Sequence, residues 1–166
     1  NKCRKPYNLP NWLFKAPLWQ KRLFLAGLFG AELSSPKTMT GHGYNFYSPI
    51  LSMNKTTGNV ESGRKFLTGI SRLLREFDIS TLKISKRKEY INKDGLVSYR
   101  LRLILSGKIK DLINLYSKIG FEYNEKRMFL SNVAVGYLRL KETVLKEKRE
   151  VAILAPKLYN TDGWDK

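Results

Sequence analysis

The sequence predicts an α+β domain, an antiparallel sheet carrying helices on one face. Runs of two strands alternate with single helices, giving the order α-β-β-α-β-β-α plus one C-terminal helix. The helical segments repeat their apolar residues at i, i+3, i+4. The strand segments alternate, and an Asp94-Gly95 pair marks a tight hairpin.

Each element has its own local reason. The first ten residues, with Pro6 and Pro10, read as extended chain. Pro17 suits a first helical turn, so Pro17 to Leu33 reads as a helix. Ser34 to Lys55 carries Ser, Pro, Thr, Gly and aromatic residues and reads as two strands around Gly41-His42-Gly43, of which Phe46 to Met53 is the clearer. Asn59 is a suitable N-cap for a helix over Val60 to Phe77, with Phe66, Leu67, Ile70, Leu73, Leu74 and Phe77 along one face. Thr81 to Tyr90 and Leu96 to Leu105 read as a hairpin. Lys108 to Ile119 is an amphipathic helix stopped by Gly120. Asn124 caps a long helix over Glu125 to Ala155, which Pro156 ends, and Trp164 lies in a loosely held tail.

Charge restricts function. The chain holds 31 Lys+Arg against 14 Asp+Glu in 166 residues, a formal net charge of +17. Self-repulsion opposes compactness, whereas binding a polyanion removes that cost and releases counterions. The reading is a nucleic-acid-binding protein, with duplex DNA as partner. An apolar fraction of 42% supplies a core and argues against a disordered basic tail. No apolar run reaches a membrane span and no secretory signal is visible, so a cytoplasmic, non-membrane protein is expected. The single cysteine, Cys3, and single histidine, His42, exclude an internal disulfide and a Cys/His zinc site. His42, between glycines, reads as an ordinary loop residue.

Alternation gives the sheet a charged side. Val97, Tyr99, Leu101, Leu103 and Leu105 point one way, with Leu82 and Ile84. Ser98, Arg100 and Arg102 point the other way, with Lys83, Ser85 and Arg87, and only Glu89 dilutes the positive charge. Two-stranded ribbons fit the major groove and Arg bonds guanine bidentately, so this face is assigned to DNA. Lys55 and Lys126 are added as DNA contacts.

The segment Leu23 to Leu33 contains two interior helical glycines, each costing about 1 kcal/mol relative to Ala. Gly27, Gly30 and Ala31 lie at i, i+3, i+4 and form a flat stripe suited to close approach of a second helix. Glu32 stands at the helix C-terminus, where the macrodipole disfavours an anion and a divalent cation would relieve it.

Leu25-Ala26-Gly27-Leu28-Phe29-Gly30-Ala31-Glu32-Leu33 resembles the signature helix of the LAGLIDADG homing endonucleases. Asn8-Leu9-Pro10-Asn11-Trp12-Leu13 looks like the segment before the second signature helix of archaeal intein endonucleases. The Phe66-Leu67 to Ile79 block, Tyr123-Asn124-Glu125-Lys126 and Tyr137-Leu138-Arg139-Leu140-Lys141 are similar to later family segments. The resemblance implies a four-stranded antiparallel saddle on duplex DNA, cut by metal-dependent hydrolysis. It implies Glu32 as the acid binding Mg²⁺ or another divalent cation, Asn54 as a polar group supporting metal or water, and Lys108 (or Lys110) as the basic residue near the scissile phosphate. Glu32 departs from the usual Asp, Gly30 from the signature's first Asp, and Leu33 from a final Gly. One signature helix implies pairing with a second LAGLIDADG repeat, through Gly27, Gly30 and Ala31, in a homodimer or a longer chain. No splicing termini are read at Asn1 or Lys166, so self-splicing is not expected. The organisation expected is a lead-in (1–16), a binding and endonuclease repeat (17–120), and a C-terminal helix and tail (121–166). The alternatives are a non-cutting DNA-binding module and an RNA-binding maturase or RNA-processing factor.

Overall fold

The computed structural model describes residues 2–41 and 45–161; His42, Gly43 and the tail with Trp164 lie outside them. It is an α+β chain with a three-stranded antiparallel sheet and four helices. The elements are α1 (Leu18–Glu32), β1 (Ile50–Thr56), α2 (Val60–Arg75), β2 (Thr81–Ile91), β3 (Val97–Leu105), α3 (Ile109–Asn114), and α4 (Glu125–Thr161). A wider helical turn, Leu115–Ile119, continues α3 until Gly120 ends it at φ 73°.

The sheet order is β1-β3-β2. Its inner face, built on Leu51, Leu101, Leu103 and Leu105, packs against Phe66, Leu67, Ile70, Leu73 and Leu74 of α2. The apolar spacing of α2 and the hairpin at Gly95 (φ 75°) are found where the sequence puts them. Gly63 lets α2 approach the sheet, since a Cβ there would meet the Leu101 side chain at 2.7 Å.

The predicted strand before β1 is replaced by two isolated bridges, Leu33↔Leu51 and Thr38↔Phe46. Pro36 and Pro49 each lack the N–H that a continuous ladder needs, and β1 starts only after Pro49. The four-stranded sheet is therefore three-stranded here. Leu82 does not face the core: it sits at a bulge between Thr81 and Lys83 and is 62% exposed. Asn59 makes no cap bond to α2; its amide donates instead to the Arg4 carbonyl at 3.2 Å. Asn124 does cap α4, accepting from the Arg127 N–H at 3.1 Å. α4 runs through Pro156 to Thr161, forgoing one backbone bond at that proline rather than ending there.

The C-terminus of α1 is held by the start of α4. Arg127 donates to the carbonyls of Phe29 (3.0 Å) and Gly30 (2.9 Å), and the Asn124 amide donates to Gly30 at 3.0 Å. A guanidinium thus occupies the negative end of the α1 dipole. At the other end of α1, Lys21 is buried and pairs with Glu76 at 2.6 Å, tying α1 to the exit of α2.

Candidate nucleic-acid interface

The strand register builds the outer sheet face row by row. One row is Asn54–Arg100–Arg87 across β1, β3 and β2, and the next is Ser52–Arg102–Ser85. Lys83 stands opposite Ile104 in a further row. The structure therefore brings Asn54, Lys83, Ser85, Arg87, Arg100 and Arg102 onto one face, as the alternation of the strands implies.

Arg87 and Arg100 face each other directly, a pairing that like charges disfavour. Glu89 resolves it. The strand bulges between Lys88 and Tyr90, and the Glu89 carboxylate bridges Arg87 Nε and Arg100 Nη2, each at 3.1 Å. Its side chain is only 12% exposed. Arg102 and Lys83 make no ion pair among the described residues. The face therefore combines two clamped guanidiniums with two uncommitted cations. Tyr90, half exposed and opposite Ser98, adds an aromatic ring to the same face. Sequence reading missed Tyr90 as a surface ring, because it looked like the end of a strand.

Two proposed contacts are placed otherwise. Lys55 points to the inner face opposite Tyr99 and is 1% exposed. Its ammonium lies 3.5 Å from the Tyr7 ring centroid and donates to the Lys5 carbonyl at 2.7 Å. Burial holds the Lys55 amine below its usual pKa. It is not presented to a phosphate. Ser98 lies on the outer face but is fully buried, its Oγ without a hydrogen bond among the described residues. The N-terminal turn Lys2–Arg4 lies at this end of the sheet, where Thr56 Oγ1 is 3.4 Å from the Cys3 carbonyl oxygen. Lys126 is exposed on the first turn of α4.

Glu32 and Asn54 line a common cleft of about 550 Å³ beside β1, together with Ala31, Ser52 and Arg100. Lys108 is not with them. It lines a second cleft with Lys110, Arg75, Asp78 and Asp111. The three proposed catalytic positions are thus split between two clefts. Among the described residues no group of three or more His, Cys, Asp or Glu could hold a metal ion.

Of the glycine stripe, Gly30 is covered from within the chain. A Cβ at Gly30 would overlap the Glu122 carbonyl oxygen, and the Glu122 N–H donates to the Ala26 carbonyl at 3.0 Å. Gly27 faces only the Tyr123 ring, at 4.0 Å, and Ala31 is exposed. The close approach that Gly30 permits is thus made to residue 122 of the same chain, not to a second signature helix.

No family model and no solved structure matches the chain. Curated relatives do. Several archaeal tRNA-splicing ligases RtcB match; that of Pyrococcus furiosus is 34% identical over 167 residues, covering 98% of this chain and 16% of that protein. The RNA polymerase subunit Rpo1N of Methanocaldococcus jannaschii is 32% identical, over 89% of this chain and 10% of the relative. The replication factor C small subunit of the same organism is 31% identical, over 92% of this chain and 8% of the relative. The chain thus spans about one sixth or less of the length of these relatives.

These matches correct the identity expected from the signature helix. None of the matching names is a homing endonuclease or an intein, and tRNA-splicing ligase recurs among them. The DNA endonuclease activity, the duplex DNA partner and the second LAGLIDADG repeat are overturned with it. Among the described residues, no helix is long and apolar enough to cross a membrane.

Proposed function

We propose that this chain is an RNA-binding module carried within longer proteins, and that the outer sheet face is its binding surface. The observation that carries the reading is the recurrence of tRNA-splicing ligases among relatives matched over nearly the whole chain. Matches to three differently named proteins, each over a small fraction of its length, support a portable module rather than the defining activity of any one of them.

The chemistry of the face suits RNA. Arg87, Arg100 and Arg102 offer guanidinium planes that stack on bases and bond phosphates, and Tyr90 offers a ring for an unstacked base. Ser52, Asn54 and Ser85 are small polar groups that suit 2′-hydroxyl contacts. The excess positive charge supplies the sequence-independent part of affinity.

In this reading residues 17–120 bind, residues 1–16 lead in, and Glu122, Asn124 and Arg127 of the C-terminal segment brace α1. Residues 34–41, already bonded to β1 through Ser34 N–H and the Ile50 carbonyl at 3.0 Å, would supply a fourth strand of a saddle. A Mg²⁺ ion suits the Glu32 cleft better than other cations, because it keeps several waters and needs only one or two carboxylates plus phosphate oxygens. Glu32 and Asn54 would hold it, and it would supply positive charge that offsets a phosphate there. The proposed compartment is the cytoplasm.

Binding of a labelled tRNA-like hairpin in the presence and absence of Mg²⁺ tests the reading. Saturable, salt-dependent binding that weakens in Arg102→Gln supports it. Binding insensitive to salt overturns it.

A further inference from the structure

We infer a second anion site, for a phosphate group, in the cleft between the end of α2 and the start of α3. The cleft has a volume of about 370 Å³ and is lined by Arg75, Asp78, Ile79, Ser80, Lys108, Lys110 and Asp111. That size is at the small end for ligand pockets and suits a phosphate or a mononucleotide.

Its charges are unequally committed. Asp78 accepts from Lys118 Nζ at 3.0 Å, and that bond holds its carboxyl below the usual range. Asp111 is buried and accepts from the Ser80 N–H at 3.0 Å. Both carboxylates therefore already have donors. Arg75, Lys108 and Lys110 make no ion pair or side-chain hydrogen bond with the described residues. Arg75 and Lys108 are free, Lys110 adds its attraction to Asp78 beside Lys118, and three cations against two already engaged carboxylates leave the cleft with net positive charge for a ligand.

The elements fix this convergence. Arg75 is the last residue of α2, and Lys108 and Lys110 flank the first residue of α3. The Ser106 N–H donates to the Ser80 carbonyl at 2.9 Å, and the Lys108 N–H donates to Ser106 Oγ at 3.2 Å. The first bond ties the two loops together and the second fixes the backbone at Lys108. The site stands apart from the Glu32 cleft and does not depend on the RNA reading. Its ligand chemistry, a phosphate oxyanion, is shared by a free phosphorylated metabolite and by the backbone of a bound nucleic acid.

The test is an amide NMR titration of the full chain with inorganic phosphate, ionic strength held constant with chloride. Saturable shifts at Ile79, Ser80, Lys108, Lys110 and Asp111 are expected. They should be lost in the Lys108→Gln/Lys110→Gln double variant and retained in Arg102→Gln. Absence of saturation at these amides, or shifts spread evenly over exposed lysines, overturns the site. So does unchanged saturation in the double variant; Arg75→Gln, expected to weaken binding several-fold, gives an independent reading should the double variant fail to fold. RNA binding by the double variant then assigns the source. A salt slope reduced by about two, one per lost phosphate contact, identifies the RNA backbone. Unchanged RNA affinity with lost phosphate binding identifies a free phosphorylated small molecule.

Discussion

Gly30 of α1 lies against the backbone of Glu122, so that any Cβ at residue 30 would overlap the Glu122 carbonyl oxygen. The tight glycine of the signature segment therefore serves an intrachain contact. Gly30→Ala is expected to destabilise the fold by about 1–3 kcal/mol, the usual cost of overpacking a backbone contact. Gly27→Ala, whose Cβ would meet only the Tyr123 ring at 4.0 Å, is expected to be neutral or stabilising, since alanine is the better helix former. Urea midpoints of the two variants check the contrast. Equal midpoints would remove the role assigned to Gly30.

Arg127 caps α1 with a charged donor shared by two carbonyls. Arg127→Met is expected to cost about 1.5–3 kcal/mol, the range for hydrogen bonds to charged groups. Hydrogen exchange should quicken at the last turn of α1 and the first turn of α4. A variant as stable as the parent would contradict the capping role.

Glu89 sets the charge available on the sheet face. Glu89→Gln frees Arg87 and Arg100 from their shared counter-ion. Nucleic-acid affinity at low salt should rise several-fold and its salt slope should steepen by about one to two, one per freed phosphate contact. Discrimination between sequences should fall, because the two guanidiniums lose their fixed geometry. Titrations at several salt concentrations measure both effects, and an unchanged slope would place the two arginines outside the interface.

Lys55 predicts a pH dependence with a definite sign. Burial lowers its folded pKa beneath the usual lysine value of 10.5. Between the two values the unfolded chain carries a proton that the folded chain has released, so stability rises with pH across that window. Relative to Lys55→Met, the parent should gain stability as the pH rises toward 10.5. Paired urea melts along that series check it, and parallel curves would show that Lys55 carries no such linkage.

Much of the fold was legible because it is local. The α2 stripe, the Asp94-Gly95 hairpin and the Asn124 cap depend on residues within a few positions of one another, and the structure places all three as read. The parity of β3 likewise put Arg100 and Arg102 on one face. The remainder depends on distant partners. The contact of Gly30 with Glu122 and the burial of Lys55 by Tyr7 and Lys5 have no signal in spacing. Bulges at Leu82 and Glu89 break the alternation on which the strand reading rests. The missing strand could have been foreseen, because Pro36 and Pro49 both interrupt its ladder. Lys108 follows β3 by only a few residues, yet the turn into α3 carries it into a different cleft from Glu32 and Asn54.

Direct competition tests RNA binding by the sheet face most sharply. A labelled structured RNA is displaced by unlabelled RNA or by duplex DNA of equal length and charge, near physiological salt. RNA is expected to compete at least about tenfold better, a difference of about 1.4 kcal/mol, through 2′-hydroxyl and stacking contacts that duplex DNA does not offer. Duplex DNA competing as well as RNA, or better, would contradict it.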